Sequence, residues 1–325
     1  GDNSAIEYAL GGFTYYVTQP DKEEWRQMAV DAYTEALPKL TDKTNQAFIL
    51  FQLQQVAKDK AVPTLAAFLD DKQLAGPAAR ALAKVGSSAA GQALLASLEK
   101  PWSDNHLSFM EALGDMQYQA AAPVIERYAT SNEQATRKVA HYALAQIAAP
   151  SSEAILFNAA QKAGLIYDES DATAYYLRYL TRLLENGETK TVAKAAQTLM
   201  AKAGASHQVA TRTAALKLLT DAQGSVMRAA TLVDAAESND AEYRAAALKY
   251  LQPMANTATT ALLLKSLAKG SPAVKADIIA YFGRINAKEA LPSVLQLLSS
   301  KDKAVQLAAI STAGKVGGEA VFAKL

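Results

Sequence analysis

The chain contains no cysteine, which excludes disulfides, thiolate nucleophiles and cysteine-based zinc sites together. Glycine and proline are scarce, 16 and 10 in 325 residues, so long irregular stretches are not expected. An excess of charge is also missing. Thirty-three Lys and Arg against 32 Asp and Glu leave a net charge of +1, so no global field favours nucleic acid or an anionic membrane. No apolar run approaches the roughly 20 residues that span a bilayer. No signal peptide opens the chain, which begins at Gly1 rather than Met, consistent with a targeting segment removed upstream. What is present is half apolar and rich in Ala, Leu, Lys and Gln, residues that lose little on entering a helix. The composition predicts an all-α protein.

Self-comparison shows the organisation. The segment "RAAALKYL" from Arg244 recurs as "KADIIAYFG" from Lys275, "QLAAISTAG" from Gln306, "RTAALKLL" from Arg212, "RKVAHYAL" from Arg137, "HLSFMEALG" from His106, "AARALAKVG" from Ala78 and "QAFILFQL" from Gln46, with "YLRYLTRLL" from Tyr176 a looser match. Successive starts are 32, 28, 31, 39, 36, 32, 31 and 31 residues apart. Three places along stand Ile49, Ala81, Phe109, Ala140, Tyr179, Ala215, Ala247, Ile278 and Ala309; four along, Leu50, Leu82, Met110, His141, Leu180, Leu216, Leu248, Ile279 and Ile310; seven along, Leu53, Val85, Leu113, Leu144, Leu183, Leu219, Leu251, Phe282 and Ala313. Offsets of three, four and seven mark one stripe of a helix, so each segment is predicted to be a helix with one buried face. Gly86, Gly114, Gly283 and Gly314 follow one place later, where a left-handed C-cap is expected. Between these helices lies a second apolar stretch of similar length, with Pro63, Pro123 and Pro292 early in three of them, as a first helical turn tolerates. The unit is a helical hairpin that must stack on its neighbours to bury its stripe.

The apolar column, the early proline and the Arg or Lys opening the second helix (Arg137, Arg212, Arg244, Lys275) resemble HEAT repeats from about residue 25 to the end. The resemblance implies a right-handed α-α superhelix, a HEAT-like solenoid of about nine to ten hairpins forming a single array over residues 1–325. HEAT units also place an aspartate six residues before that Arg. Here the position holds Ser131, Ser206, Ser238 and Ser300, with Asp240 and Asp302 displaced by two, so a regular charged ladder is not expected. The opening "AIEYALGGFTYYVTQPDKEEWRQMAVDAYTEAL" reads as one more hairpin, linked through Gln19-Pro20-Asp21. It is similar to stretches of secreted HEAT-repeat proteins of Bacteroidetes and planctomycetes, in which the array precedes a β-rich domain similar to 3-keto-disaccharide hydrolases. No part of that domain is in this sequence. Glu319 to Leu325 reads as the first helix of a further repeat, so the natural chain is expected to be longer at the C-terminus, and the N-terminus is open to the same reading.

No catalytic constellation is legible. His106, His141 and His207 lie in separate repeats without the spacing of a zinc site, so no metal and no cofactor are expected. His141 is the one polar member of an apolar column, read either as a core histidine with a backbone or side-chain partner or as a ligand contact. The acid pairs Asp70-Asp71 and Glu23-Glu24 read as solvated caps and dipole partners.

Two places stand out as binding candidates. In "KPWSDNHLSF", Asp104 is expected to N-cap a helix; Trp102 either covers the inter-helix groove or stands exposed at its rim as a contact residue. In "LIYDESDATAYYLRYLTR", inside the longest interval, Tyr167, Tyr175, Tyr176 and Tyr179 cluster beside Asp168, Glu169 and Asp171. Tyr179 belongs to the buried column, whereas Tyr167, Tyr175 and Tyr176 are candidates for stacking on a carbohydrate or peptide. Five places after each start come Phe51, Ala83, Glu111, Tyr142, Thr181, Lys217, Lys249, Ala280 and Ser311. This row lines the concave side of HEAT arrays; Tyr142 joins the candidates, and Lys217 with Lys249 are too few cations for DNA.

The expected function is a non-catalytic scaffold or binding module, with a protein or saccharide ligand on the concave face, within a larger bacterial extracytoplasmic protein linked to saccharide processing. The alternatives are a cytoplasmic protein-interaction scaffold and a HEAT-like enzyme such as a bilin lyase. HEAT-like DNA glycosylases use a basic groove with tryptophans, whereas this chain has only Trp25 and Trp102 and no basic excess.

Overall fold

The computed structural model describes residues 3–318 and 321. Among these residues there is no strand. The helices are α1 (Ser4–Val17), α2 (Glu23–Ala36), α3 (Lys43–Val56), α4 (Val62–Ala66), α5 (Ala75–Val85), α6 (Ser88–Leu98), α7 (Asn105–Asp115), α8 (Ala122–Ile125), α9 (Gln134–Ile147), α10 (Glu153–Lys162), α11 (Ala172–Glu185), α12 (Thr189–Ala205), α13 (Val209–Asp221), α14 (Ser225–Ala236), α15 (Ala241–Leu251), α16 (Thr257–Lys269), α17 (Pro272–Arg284), α18 (Leu291–Gln296) and α19 (Lys303–Val316). The odd-numbered helices from α3 onward are the nine aligned segments, and the even-numbered helices are the stretches between them.

The stripe predicted from offsets three, four and seven is the core. Every residue of the first column is buried; the second is buried except Ile310, and the third except the half-buried Val85. The chain forms two compact units, Gly1–Ala163 with Tyr167–Arg182 and Gly164–Ile166 with Leu183–Leu325. In the first, α1, α3, α5, α7 and α9 each lie against the next; in the second, α13, α15, α17 and α19 do so. The core of the second unit runs from Leu216 through Leu248, Phe282 and Ala309 to Val321. The remainder of Glu319 to Leu325, read as a further first helix, lies outside the described residues.

The opening segment forms the helical hairpin read from it, α1 and α2 joined by the turn through Gln19-Pro20-Asp21. Helix α1 packs on α3 as well as on α2. Its buried Thr14 and Val17 stand four and seven places after Leu10, so α1 takes the second-helix role of one repeat and α2 the first-helix role of the next. The first helices are less regular than expected. Those bearing Pro63, Pro123 and Pro292 at their starts are only 5, 4 and 6 residues long, each preceded by a 3₁₀ turn. Proline suits a first turn, where its missing N–H is no loss.

Side-chain caps fix several second helices. Asp42, Asp240 and Asp302 accept from the backbone N–H of Asn45, Tyr243 and Val305, and Ser271 caps α17, whose first residue is Pro272. The displaced aspartates of the repeat are thus N-caps. At four of the nine starts the position six residues earlier contributes its carbonyl instead. Gln46 Nε2 donates to Leu40 O at 2.9 Å, His106 Nε2 bonds Lys100 O at 3.2 Å, Arg137 Nη1 donates to Ser131 O at 2.6 Å and Arg244 Nη1 to Ser238 O at 2.7 Å. A long donor at the start of the second helix thereby closes the turn and pairs a carbonyl that would otherwise lack a partner. Arg244 also forms an inter-repeat rung, to Asp277 at 2.6 Å, while Lys43 with Asp71, Lys100 with Asp70, Lys138 with Asp171 and Lys269 with Glu237 bridge neighbouring repeats at the surface.

Of the four glycines assigned to caps, only Gly86 is left-handed, with φ +70°. Gly114, Gly283 and Gly314 lie within α7, α17 and α19. The left-handed residues after α7 and α17 are Gln117 and Asn286. A Cβ on Gly114 would lie 2.7 Å from Ala143 Cα in α9, and one on Gly283 2.9 Å from Thr312 Oγ1 in α19. Both glycines permit close helix approach.

Candidate functional site

The turn at Trp102 is organised by an imidazole. The backbone N–H of Ser103 donates to His106 Nδ1 at 3.1 Å, which leaves Nε2 to donate to the Lys100 carbonyl. Trp102, 45% exposed, lies tilted against His106 and Tyr128 with ring centroids 4.9 and 5.4 Å away. It covers one wall of an open depression of about 620 Å³ that Asp70, Lys72, Lys100 and Asp104 also line. Asp104 occupies the N-cap position of α7 but makes no side-chain cap bond, because its backbone is already helical and the carboxylate cannot turn back onto the first amides.

The tyrosine candidates separate. Tyr176 is 1% exposed, tilted against Phe157 at 5.0 Å and stacked on Tyr179 at 6.2 Å. It is a core residue and not a contact residue. Burial raises the phenol pKa of both Tyr176 and Tyr179 far above its ordinary value, and Tyr179 donates to Ala149 O at 3.2 Å. Tyr167 is 56% exposed and stands apart. Tyr142 and Tyr175 meet edge to face at 6.0 Å. Tyr142 donates its hydroxyl to Asp115 Oδ1; burial, with that bond second, raises its pKa.

Asp115, the partner of Tyr142, lines a groove of about 300 Å³ built wholly from second helices of the first unit. Arg80 and Lys84 come from α5, Glu111 and Asp115 from α7, Gln146 from α9 and Arg182 from α11. Gln146 Oε1 accepts from Arg178 Nε at 3.2 Å and from Arg182 Nε at 3.1 Å, so one carboxamide fixes two guanidinium groups across neighbouring repeats. The result is a polar trough with both signs of charge. Sequence reading found Tyr142 and Glu111 because it followed the fifth place; Arg80, Asp115, Gln146 and Arg182 sit two, nine, nine and six places after their starts, further along the same exposed side.

Lys217 and Lys249 are exposed, and Lys217 pairs with Asp221. The acid pairs behave as caps and surface ions. Asp71 accepts from the N–H groups of Gln73 and Leu74 and meets Lys43 at 2.5 Å; Glu23 meets Lys58 at 2.5 Å. The lysine bond is the first cause that lowers each carboxyl pKa, the direction opposite to that of a general acid at neutral pH. Among the described residues, no three His, Asp or Glu side chains are grouped to hold a metal, and no helix is long and apolar enough to cross a membrane.

His141 is 7% exposed, with Nε2 3.0 Å from Ala129 O. Burial is the first cause that lowers its pKa, with the Ala129 bond acting in the opposite sense. The unfolded ring titrates near 6.5 and the folded ring lower, so between those values the unfolded chain binds the additional proton. Stability is therefore expected to fall as pH drops below about 6.5. Thermal unfolding of the first unit between neutral and mildly acidic pH checks this: His141→Gln should flatten the slope, and equal slopes would remove His141 as its source.

The family model described as HEAT repeats matches residues 260–325. No curated protein matches the chain by sequence. Among solved structures, it is similar to an engineered protein at 17% identity and TM-score 0.35, covering 98% of this chain and 92% of that one. It is also similar to the complex of CpcE and CpcF of phycocyanin lyase from Nostoc sp. PCC7120 at 16% identity and TM-score 0.36, covering 87% and 93%. A third is human deoxyhypusine hydroxylase in complex with glycerol, at 17% identity and TM-score 0.31, covering 93% and 100%.

Proposed function

We propose that this HEAT-repeat α-solenoid is a non-catalytic scaffold that holds an extended segment of a partner protein in the groove over α5, α7, α9 and α11. One observation carries the reading: second helices of successive repeats converge on a trough with Arg80, Lys84 and Arg182 beside Glu111 and Asp115, the last bonded to Tyr142, whose ring meets Tyr175. Both signs of charge at fixed spacing select register in a bound polypeptide, and the tyrosines supply contact area at low entropic cost. A photocrosslinking side chain at Ala83, in the cells that make the protein, is expected to trap one polypeptide. Glu111→Lys should reduce the yield about tenfold, as reversal of an interfacial charge does. If soluble saccharides block the crosslink, or no polypeptide is trapped, the reading fails.

The finer placement, in a larger bacterial extracytoplasmic protein linked to saccharide processing, is proposed on the likeness of the opening stretch alone. The complete reading frame tests it: a signal peptide and a fused saccharide-active domain are expected. Their absence would favour a cytoplasmic scaffold. For a bilin lyase, addition of bilin would change its absorbance.

A further inference from the structure

The longest interval between repeats, 39 residues from Arg137 to Tyr176, leaves a second crevice in the first unit, of about 620 Å³. The turn from 129 to 132 forms one wall, α10 another, and the inserted residues Asp168 and Ser170 a third. His141 reaches this crevice from the core. A carbonyl only accepts, so the bond to Ala129 O places the ring hydrogen on Nε2 and leaves Nδ1 a lone-pair acceptor in the neutral ring. Nδ1 has no hydrogen-bond partner among the described residues, and His141 is one of the residues that line the crevice.

The groups around it narrow the ligand. Asn132 and Asn158 bring carboxamides. Asp168 is held in place by the Ser170 N–H at 3.1 Å and the Ser170 hydroxyl at 2.5 Å. Ile155 and Ala159 give an apolar wall. Arg137 turns Nη1 to the carbonyls of Ser131 and Asn132 at 2.6 and 2.8 Å, so its charge is directed at the backbone. Lys162 lines the crevice as well, so its ammonium offsets the Asp168 carboxylate and neither sign of charge dominates, while the two carboxamides offer both donors and acceptors to neutral groups. We infer that this crevice binds a small neutral polyol, one hydroxyl donating to His141 Nδ1, others meeting Asn158 and Asp168, and its C–H face lying on Ile155 and Ala159. The site is separate from the groove over the second helices and goes beyond its proposed role.

The test uses the full chain with ¹⁵N-labelled imidazole rings and a panel of glycerol, myo-inositol, D-glucose and D-mannose, with inorganic phosphate as the anionic control. At least one polyol is expected to shift the His141 Nδ1 resonance saturably in the millimolar range. Asn158→Ala and Asp168→Ala, both at accessible positions, should weaken that binding about 3- to 10-fold each, the effect of losing one hydrogen bond. The inference is overturned if no polyol moves Nδ1, if the shift survives both substitutions at unchanged affinity, or if phosphate binds saturably and the polyols do not.

Discussion

Arg244→Ala is expected to lower the stability of the unit that contains it by about 3 kcal/mol. Arg244 is 3% exposed and, among the described residues, the one buried side chain of Lys, Arg, Asp or Glu. Its Nε and Nη2 meet Asp277 Oδ2, each at 2.6 Å, and its Nη1 donates to Ser238 O at 2.7 Å. Truncation therefore empties a core position, unpairs a turn carbonyl and breaks the inter-repeat rung together. The Asp277 side chain is 45% exposed and can rehydrate, which places the loss at the low end of the range for breaking a buried pair. Arg244→Met keeps the volume and removes the charge, so it should cost only about 1–2 kcal/mol, the price of one unsatisfied carbonyl. Urea unfolding followed by far-ultraviolet circular dichroism, with hydrogen exchange across α15 and α17, measures both. A change within about 0.5 kcal/mol for the alanine variant, the size of an ordinary surface substitution, would show that the rung holds nothing together.

The second helices and their core were legible because burial imposes a period. Twenty-five of the 27 residues in the three columns are buried, since all but Val85 and Ile310 are. A fourth member of the stripe was present at the start position but served only as a marker. Gln46, Ala78, His106, Tyr176 and Arg244 are all buried there, so Tyr176 is core, whereas Tyr175, one place away, is half-buried against Tyr142. The same column supplies the donors that close the turns, a role hidden by the chemical variety of Gln, His and Arg. The groove was hidden for a different reason. Arg80, Asp115, Gln146 and Arg182 are ordinary solvated residues one by one, and only the lateral stacking of helices, a long-range property, brings them together. The crevice at His141 was half legible: its place in an apolar column marked the residue, but the free Nδ1 depends on which carbonyl the folded ring meets.

Glycine roles are the other blind spot, because a left-handed cap and a close helix contact both exclude a Cβ. Gly114→Ala is expected to destabilise the first unit by about 1–3 kcal/mol, the cost of overpacking, despite the roughly 1 kcal/mol that alanine gains in helix propensity. The new methyl would lie 2.7 Å from Ala143 Cα and 3.1 Å from its Cβ, and a backbone atom in the neighbouring helix cannot rotate out of the way. The helices α7 and α9 would have to move apart, loosening the buried Leu113 and Leu144 as well. Gly283→Ala should cost less, since its nearest neighbour is the Thr312 hydroxyl at 2.9 Å, which can turn at the loss of its 2.9 Å bond to Ile279 O. Gly314→Ala meets nothing within 4 Å and should stabilise α19 by about 0.5–1 kcal/mol through propensity alone. Denaturation midpoints of the three variants should therefore fall in the order Gly314→Ala highest, Gly283→Ala next and Gly114→Ala lowest. If Gly114→Ala matched Gly314→Ala, α7 and α9 would not be in the close contact that sets the spacing of Glu111 and Asp115 against Tyr142 and Gln146, and the geometry of the groove would go with it.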